Sequence, residues 1–264
     1  MDRISKLRLL INQLDDYCLE HGCTDKDFKY IGTGNPNADI LIIGKEAAIC
    51  SSKNGQKKKE ITSNFDTWKE KTDYNQENVI RSTKLRDYDP LYPYKGQIKK
   101  INNDKNIGTS RTWYTYQKLI DNIFDITGNN EINFHEKVFL TEVNPKPSPK
   151  TKDANTDLIE KRKEIFLRSE FIQSFPVVII SGVGYFSITP NCNEIEEIFN
   201  VKFSEKKNGG KRPSQPYWIH YGMSQSPRIL INTHQLSIGI SDALLMDVAN
   251  DIVEIMKIKT TFSI

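Results

Sequence analysis

No stretch of the chain approaches the ~18 consecutive apolar residues that a membrane-spanning helix requires, which argues against an integral helical membrane protein. The first residues, MDRISKLRLLINQLDDYC, are charged throughout and lack the apolar block and small-residue cleavage site of a secretory signal. A cytoplasmic location is the expectation. Cysteine is scarce: Cys18, Cys23, Cys50 and Cys192 are the only four, and free thiols are the expected state in that compartment. Cys18 and Cys23 are separated by four residues and no second close pair follows. That spacing is poor for a metal or iron–sulfur site, and no cofactor is expected. Carboxylates at strand ends are also few. Glu46, Glu142 and Asp39 are a thin set for a metal-dependent nuclease.

What is present is ordinary for a globular protein, with 37% hydrophobic and 27% charged residues. The net charge of +3 is unevenly spread. Residues 51–110 carry thirteen Lys and Arg against eight Asp and Glu, and a second basic knot, EKKNGGKRPSQP, spans 205–216. Clustered cations of this kind suit a polyanionic partner, although charge alone slightly favours a solvated loop.

Helical spacing of apolar residues runs from Ile4 to Cys18 and again over 111–126, with Ser110 as N-cap and Gly128 as stop. Helix is also expected over 157–175, over most of 184–200 and over 238–257. Buried strands are expected at ADILIIG (38–44), KVFLTEV (137–143), PVVIISG (176–182), YWIHYG (217–222) and PRILINT (227–233). Residues 51–110 read as a long polar insertion in one domain spanning 1–264, partly helical around 63–72 and 76–86. Strands alternating with helices predict a three-layer α/β/α sandwich with a mainly parallel central sheet. Ligands of such sheets sit at the carboxyl ends of the strands. Four loops follow strands there: 44–50, 144–149, 182–185 and 233–237.

Those loops carry a family likeness. GNPNADILIIGKEAA (34–48) resembles the first motif of uracil-DNA glycosylases, written GNPxAD–strand–GEAPG or GQDPY in members of that superfamily. NTHQLS (232–237) resembles their second motif, HPSPLS. Between the two, LTEVNPKPSP (140–149) is similar to their strand and proline-rich loop, and VVIISGVG (177–184) to their apolar strand ending in Gly. The likeness covers most of 30–260 in motif order. It leaves 51–110 unmatched, departs at Ala47 and Gln235 where many members have Pro, and lacks the cysteine spacing of the iron–sulfur branch.

The resemblance implies a uracil-DNA glycosylase-like fold and a monomeric, monofunctional DNA glycosylase that hydrolyses the N-glycosidic bond of a flipped base. Breaking that bond develops positive charge on the sugar and negative charge on the base. Glu46 takes the place of the catalytic carboxylate, by the sugar and its attacking water, and His234 that of the imidazole donating to the base oxygen. Leu236 matches the apolar wedge that fills the gap left by a flipped base, with packing as the other reading. Gly44, Ala48, Glu142 and Asn144 fall where members contact the base. An ionised Glu142 accepts hydrogen bonds only, which suits the amino group of cytosine, and Ala48 leaves room at the pyrimidine C5 face. Together they point to a 5-modified cytosine, hydroxymethylated or glucosylated, as in some phage DNA. Ser148, Ser181, Gly182 and Ser237 are candidates for phosphate contacts, and Lys53, Lys57, Lys58, Lys59, Lys211 and Arg212 for the general grip on DNA. A uracil or mismatch repair enzyme and a catalytically silent DNA-binding module of the same fold remain as alternatives.

Overall fold

The apolar runs become the strands of a mixed α/β protein, seen in a computed structural model that describes residues 1–20, 26–48, 54–73, 89–93, 96–101, 108–182, 184–189, 191–210, 215–223, 227–237 and 239–262. In chain order the described helices are α1 (Arg3–Glu20), α2 (Asn54–Asp73), α3 (Arg111–Ile123), α4 (Ile159–Arg168), α5 (Glu170–Gln173), α6 (Glu194–Phe199) and α7 (Asp242–Phe262). The strands are β1 (Thr33–Gly34), β2 (Ile40–Gly44), β3 (Ile98–Ile101), β4 (Gly108–Thr109), β5 (Val138–Glu142), β6 (Val177–Ser181), β7 (Ile188–Thr189), β8 (Cys192–Asn193), β9 (Val201–Asn208), β10 (Pro216–Gly222) and β11 (Ile229–Thr233). Seven of these strands belong to one mixed sheet, and the chain divides into two compact units.

The first unit comprises Met1–Pro93 and Val138–Phe175. Its strands run β1-β5-β2, with β2 and β5 parallel and Gly44 opposite Glu142. Every residue of β2 is buried, so both of its faces are covered. That is why ILIIG reads as a continuous apolar run instead of an alternating one. Helix α1 buries Ile4, Leu7, Leu10, Ile11, Leu14 and Cys18 at helical spacing, and packs on α2 and α5. Phe139, Phe171 and Phe175 form an aromatic cluster, Phe171 edge to face with both others and Phe139 stacked on Phe175, with ring centroids 5.1 to 6.2 Å apart. Part of the unmatched insertion belongs to this core. Asn64 accepts from the backbone N–H groups of Ile31 and Gly32 and donates to the Gly32 carbonyl at 2.7 Å, where Trp68 also donates at 2.8 Å. Lys71, 1% exposed, pairs with Asp89 at 3.3 Å.

The second unit comprises Tyr94–Lys137 and Pro176–Ile264, with strands in the order β6-β11-β10-β9. Strands β6 and β11 are parallel and wholly buried. Strands β10 and β9 continue antiparallel, with a register shift between Ile219 and His220. Ser110 caps α3, accepting from the Trp113 N–H as its sequence position predicts, and α3 packs on α7. Parallel pairing thus holds for β2 with β5 and β6 with β11, while β1, β10 and β9 pair antiparallel.

Several expected boundaries move. Helix α3 ends at Ile123, before Gly128. The expected helix at 157–175 breaks at Ser169, whose side chain starts α5 by accepting from the Ile172 N–H. Among the described residues of 184–200, Glu194–Phe199 alone is α-helical, while Ile188–Thr189 pairs antiparallel with Cys192–Asn193. The basic knot begins inside a strand, β9, which the polar sequence VKFSEKKN conceals. The expected helix at 76–86 lies outside the described residues.

Candidate active site

In the first unit the ladder of β2 and β5 does not stop where the strands do. Val143 N–H donates to the Gly44 carbonyl at 3.0 Å, Asn144 N–H to Lys45 at 2.7 Å and Ser148 N–H to Ala47 at 3.0 Å, and Ala48 bridges Ser148 in parallel fashion. The two strand-end loops are therefore stitched together, and Glu46 and Glu142 emerge from adjacent parallel strand ends. Thr151 Oγ1 donates to Glu46 Oε1 at 2.5 Å, which fixes the carboxylate's direction. Glu142 is half-buried and its carboxylate lies against the backbone of Gly44. A Cβ at that glycine would stand 2.9 Å from Glu142 Cδ, with Oε2 nearer still.

Beneath Glu142 sits Arg162 of α4, 1% exposed. Its Nη2 donates to Thr141 Oγ1 at 2.9 Å and its Nε to the Glu142 carbonyl at 3.3 Å. Burial pulls the guanidinium down to about 10, against the opposing pull of Tyr30 and Glu142.

In the second unit the parallel pair β6–β11 ends in an equally closed arrangement. Gly182 N–H donates to the Thr233 carbonyl at 3.0 Å, and Ser181 Oγ accepts from the Leu236 N–H at 2.9 Å. These bonds turn the chain sharply after β11 and leave His234 exposed. Trp218, which faces Asn232 across the β10–β11 register, meets the His234 ring edge to face at 6.0 Å. Just before His234, Asn232 Oδ1 and Thr233 Oγ1 are buried and make no hydrogen bond among the described residues. Buried polar atoms left this way are rare in native proteins and call for an explanation, a catalytic role among them.

No protein-family model and no curated protein matches the chain. The site therefore stands on its own geometry and on the motif likeness.

Four expected site residues take other places. Leu236 is fully buried and so does not project as a wedge, because its backbone is drawn inward by Ser181. Asn144 is also fully buried. Its Nδ2 donates to the Asn155 carbonyl at 3.0 Å and its Oδ1 accepts from the Lys146 N–H at 3.1 Å, so its amide shapes the loop and does not face a ligand. Ser148 donates to the Lys150 carbonyl at 2.8 Å and Ser181 is held by Leu236; both hydroxyls serve their own loops instead of a phosphate. Ser237 is half-buried, with its N–H on the Gln235 carbonyl at 2.8 Å. Ala48 is exposed. Lys53, Lys211 and Arg212 lie outside the described residues, as do the side chains of Lys57, Lys58 and Lys59.

Sequence reasoning missed Thr151, Arg162 and Trp218. Thr151 reaches Glu46 only because the proline-rich segment folds back through 105 positions of separation. Arg162 looks like the polar face of an amphipathic helix until α4 is seen to bury it. For Trp218 a signal existed, an aromatic residue in a strand leading back toward the second motif.

Proposed function

We propose that the protein is a DNA glycosylase with a uracil-DNA glycosylase-like fold, and that Glu46 and His234 are its catalytic groups. The observation that carries the reading is the pair of carboxylates at the stitched ends of β2 and β5, with Glu46 oriented by Thr151. A carboxylate held in one direction at a parallel strand end is positioned to stabilise an oxocarbenium-like sugar and to orient water. The exposed His234, braced by Trp218, supplies an N–H donor for the base oxygen that gains negative charge. In the reaction, the C1′–N bond breaks with its electron pair leaving on the base. Water adds its oxygen to C1′, and its proton passes by way of Glu46, leaving an abasic site and a neutral base.

The base proposed is a cytosine bearing a 5-substituent. Glu142, with the Arg162 guanidinium behind it, offers an acceptor for an exocyclic amine, and the small exposed Ala48 leaves space beside the ring. The test is base release in the presence of EDTA from DNA carrying uracil, cytosine, 5-hydroxymethylcytosine or its glucosylated form, with alkali revealing abasic sites. Release of a modified cytosine, lost by at least ~100-fold in Glu46→Gln and in His234→Ala with DNA affinity kept, is the expected result. Release of uracil alone would remove Glu142 and Ala48 as the selective pair. Absence of abasic sites on every substrate would overturn the enzymatic reading.

A further inference from the structure

The second unit carries a cleft of about 740 Å³ whose floor is the face of β10 and β9 that bears Trp218, His220 and Phe203. This volume lies within the range of ordinary ligand sites. Two ring pairs lie there. Phe203 meets His220 edge to face at 5.6 Å, and Trp218 meets His234 edge to face at 6.0 Å. His220 is 1% exposed, and its burial disfavours the charged ring. Phe203 and Met223 at the cleft's outer side are 47% and 58% exposed.

The charges divide the cleft from its rim. In the wall, Glu196 and Glu197 stand with a single cation, Lys202, which closes on Glu196 at 2.8 Å. A phosphate inside would meet net negative charge, whereas a neutral planar group would meet aromatic faces. At the rim, the Lys206 ammonium lies 5.8 Å from the centre of the Trp218 ring. Lysines on an edge strand have an ordinary use in blocking edge-to-edge pairing, but that use does not require an aromatic floor beside them.

From this arrangement we infer that the cleft takes unpaired nucleobases of single-stranded DNA next to the processed nucleotide, stacked on Trp218 and Phe203 with their phosphates outside beside Lys206. Stacking platforms edged by cations are the general means of holding single strands. The inference rests on the reading of the protein as a DNA enzyme, and it adds a preference for an opened or single-stranded substrate.

The test is binding of the full chain to a fluorescently labelled oligo(dT) strand and to an unmodified duplex of equal length, read by anisotropy. Phe203→Ala and Trp218→Ala are each expected to weaken single-strand binding by roughly 10-fold, with Trp218→Phe retaining most of it and duplex binding unmoved. Phe203 is exposed enough for its replacement to leave the fold intact, which circular dichroism would check. Unchanged single-strand affinity in Phe203→Ala and Trp218→Ala, or an equal loss on both DNA forms, overturns the inference and leaves the cleft to a small neutral ligand. These strands hold no excisable base, so an enzyme without glycosylase activity would still give a clear answer here.

Discussion

Replacing Gly44 by Ala separates the catalytic geometry from the stability of the fold. The added methyl carbon would lie 2.9 Å from Glu142 Cδ, with Oε2 nearer, whereas carbon atoms pack at about 3.5–4.0 Å. Because Oε2 is the nearer atom, the carboxylate must retreat by somewhat more than about 1 Å. Because it is the far end of a flexible side chain, the retreat is a rotamer adjustment that costs about 0.5–1.5 kcal/mol. Gly44 also lacks a positive φ, so the backbone accepts alanine without strain. Thermal unfolding should then shift little, while a displacement of this size at the group proposed to read the base is expected to cost up to ~100-fold in base release. The decisive assay is a double-mutant cycle with Glu142→Ala. If Gly44 acts through Glu142, the double variant is no slower than Glu142→Ala alone, a coupling of up to ~2.7 kcal/mol. Strictly additive losses would refute the reasoning, as would a Gly44→Ala protein as unstable as one with a core truncation.

Thr151→Val removes the hydroxyl that donates to Glu46 Oε1 and should slow base release by about 10-fold through a lost hydrogen bond of ~1.4 kcal/mol; an unchanged rate would show that Glu46 needs no such guide. Leu236→Ala truncates a fully buried side chain and should lower the unfolding free energy by about 2–5 kcal/mol in urea titrations, whereas a projecting wedge would leave stability untouched and reduce only excision. His135 and His220 both titrate below the usual imidazole value because burial disfavours the charged ring. As pH falls, the unfolded chain binds their protons first, so the stability they contribute is whole above about pH 6.5 and is lost as pH drops below it. The slope expected there is on the order of 1 kcal/mol per pH unit for each ring, and His220→Gln should remove about half of it. A flat stability profile between neutral and mildly acidic pH would contradict the assigned burial.

The parts of the fold that sequence reveals are those in which a single physical demand dominates. ILIIG, VVIIS and ILINT are apolar up to their carboxyl ends because both faces are covered, with the polar Ser181, Asn232 and Thr233 buried only at those ends, and Ser110 stands where an N-cap is required. Strand β9 escapes the same logic. Seven of its eight residues are exposed or half-exposed, and its conformation is imposed by the hydrogen bonds of β10 and not by burial of its own side chains. The candidate site shows the same division. Glu46 and His234 are legible because each follows a recognisable strand. The inward turn of Leu236 is not, since it depends on Ser181, 55 positions away, and neither is the internal use of the Asn144 amide, which looks in sequence like any other loop side chain. The insertion at 51–110 reads as polar throughout, yet Asn64 and Trp68 dock α2 on Gly32 through contacts that composition does not encode.

The backbone bonds that stitch 44–47 to 143–148 also bear on how substrate choice could change over generations. The second segment holds part of its own shape through Asn144 and Ser148, but each loop also serves as a backbone template for the other. A segment transplanted alone from a relative would arrive without its counterpart and lose its shape. Under the proposed glycosylase reading, new base preferences at this position would be inherited, or engineered, as a matched pair of segments carried on two neighbouring strands, or else as single side chains that leave both templates intact.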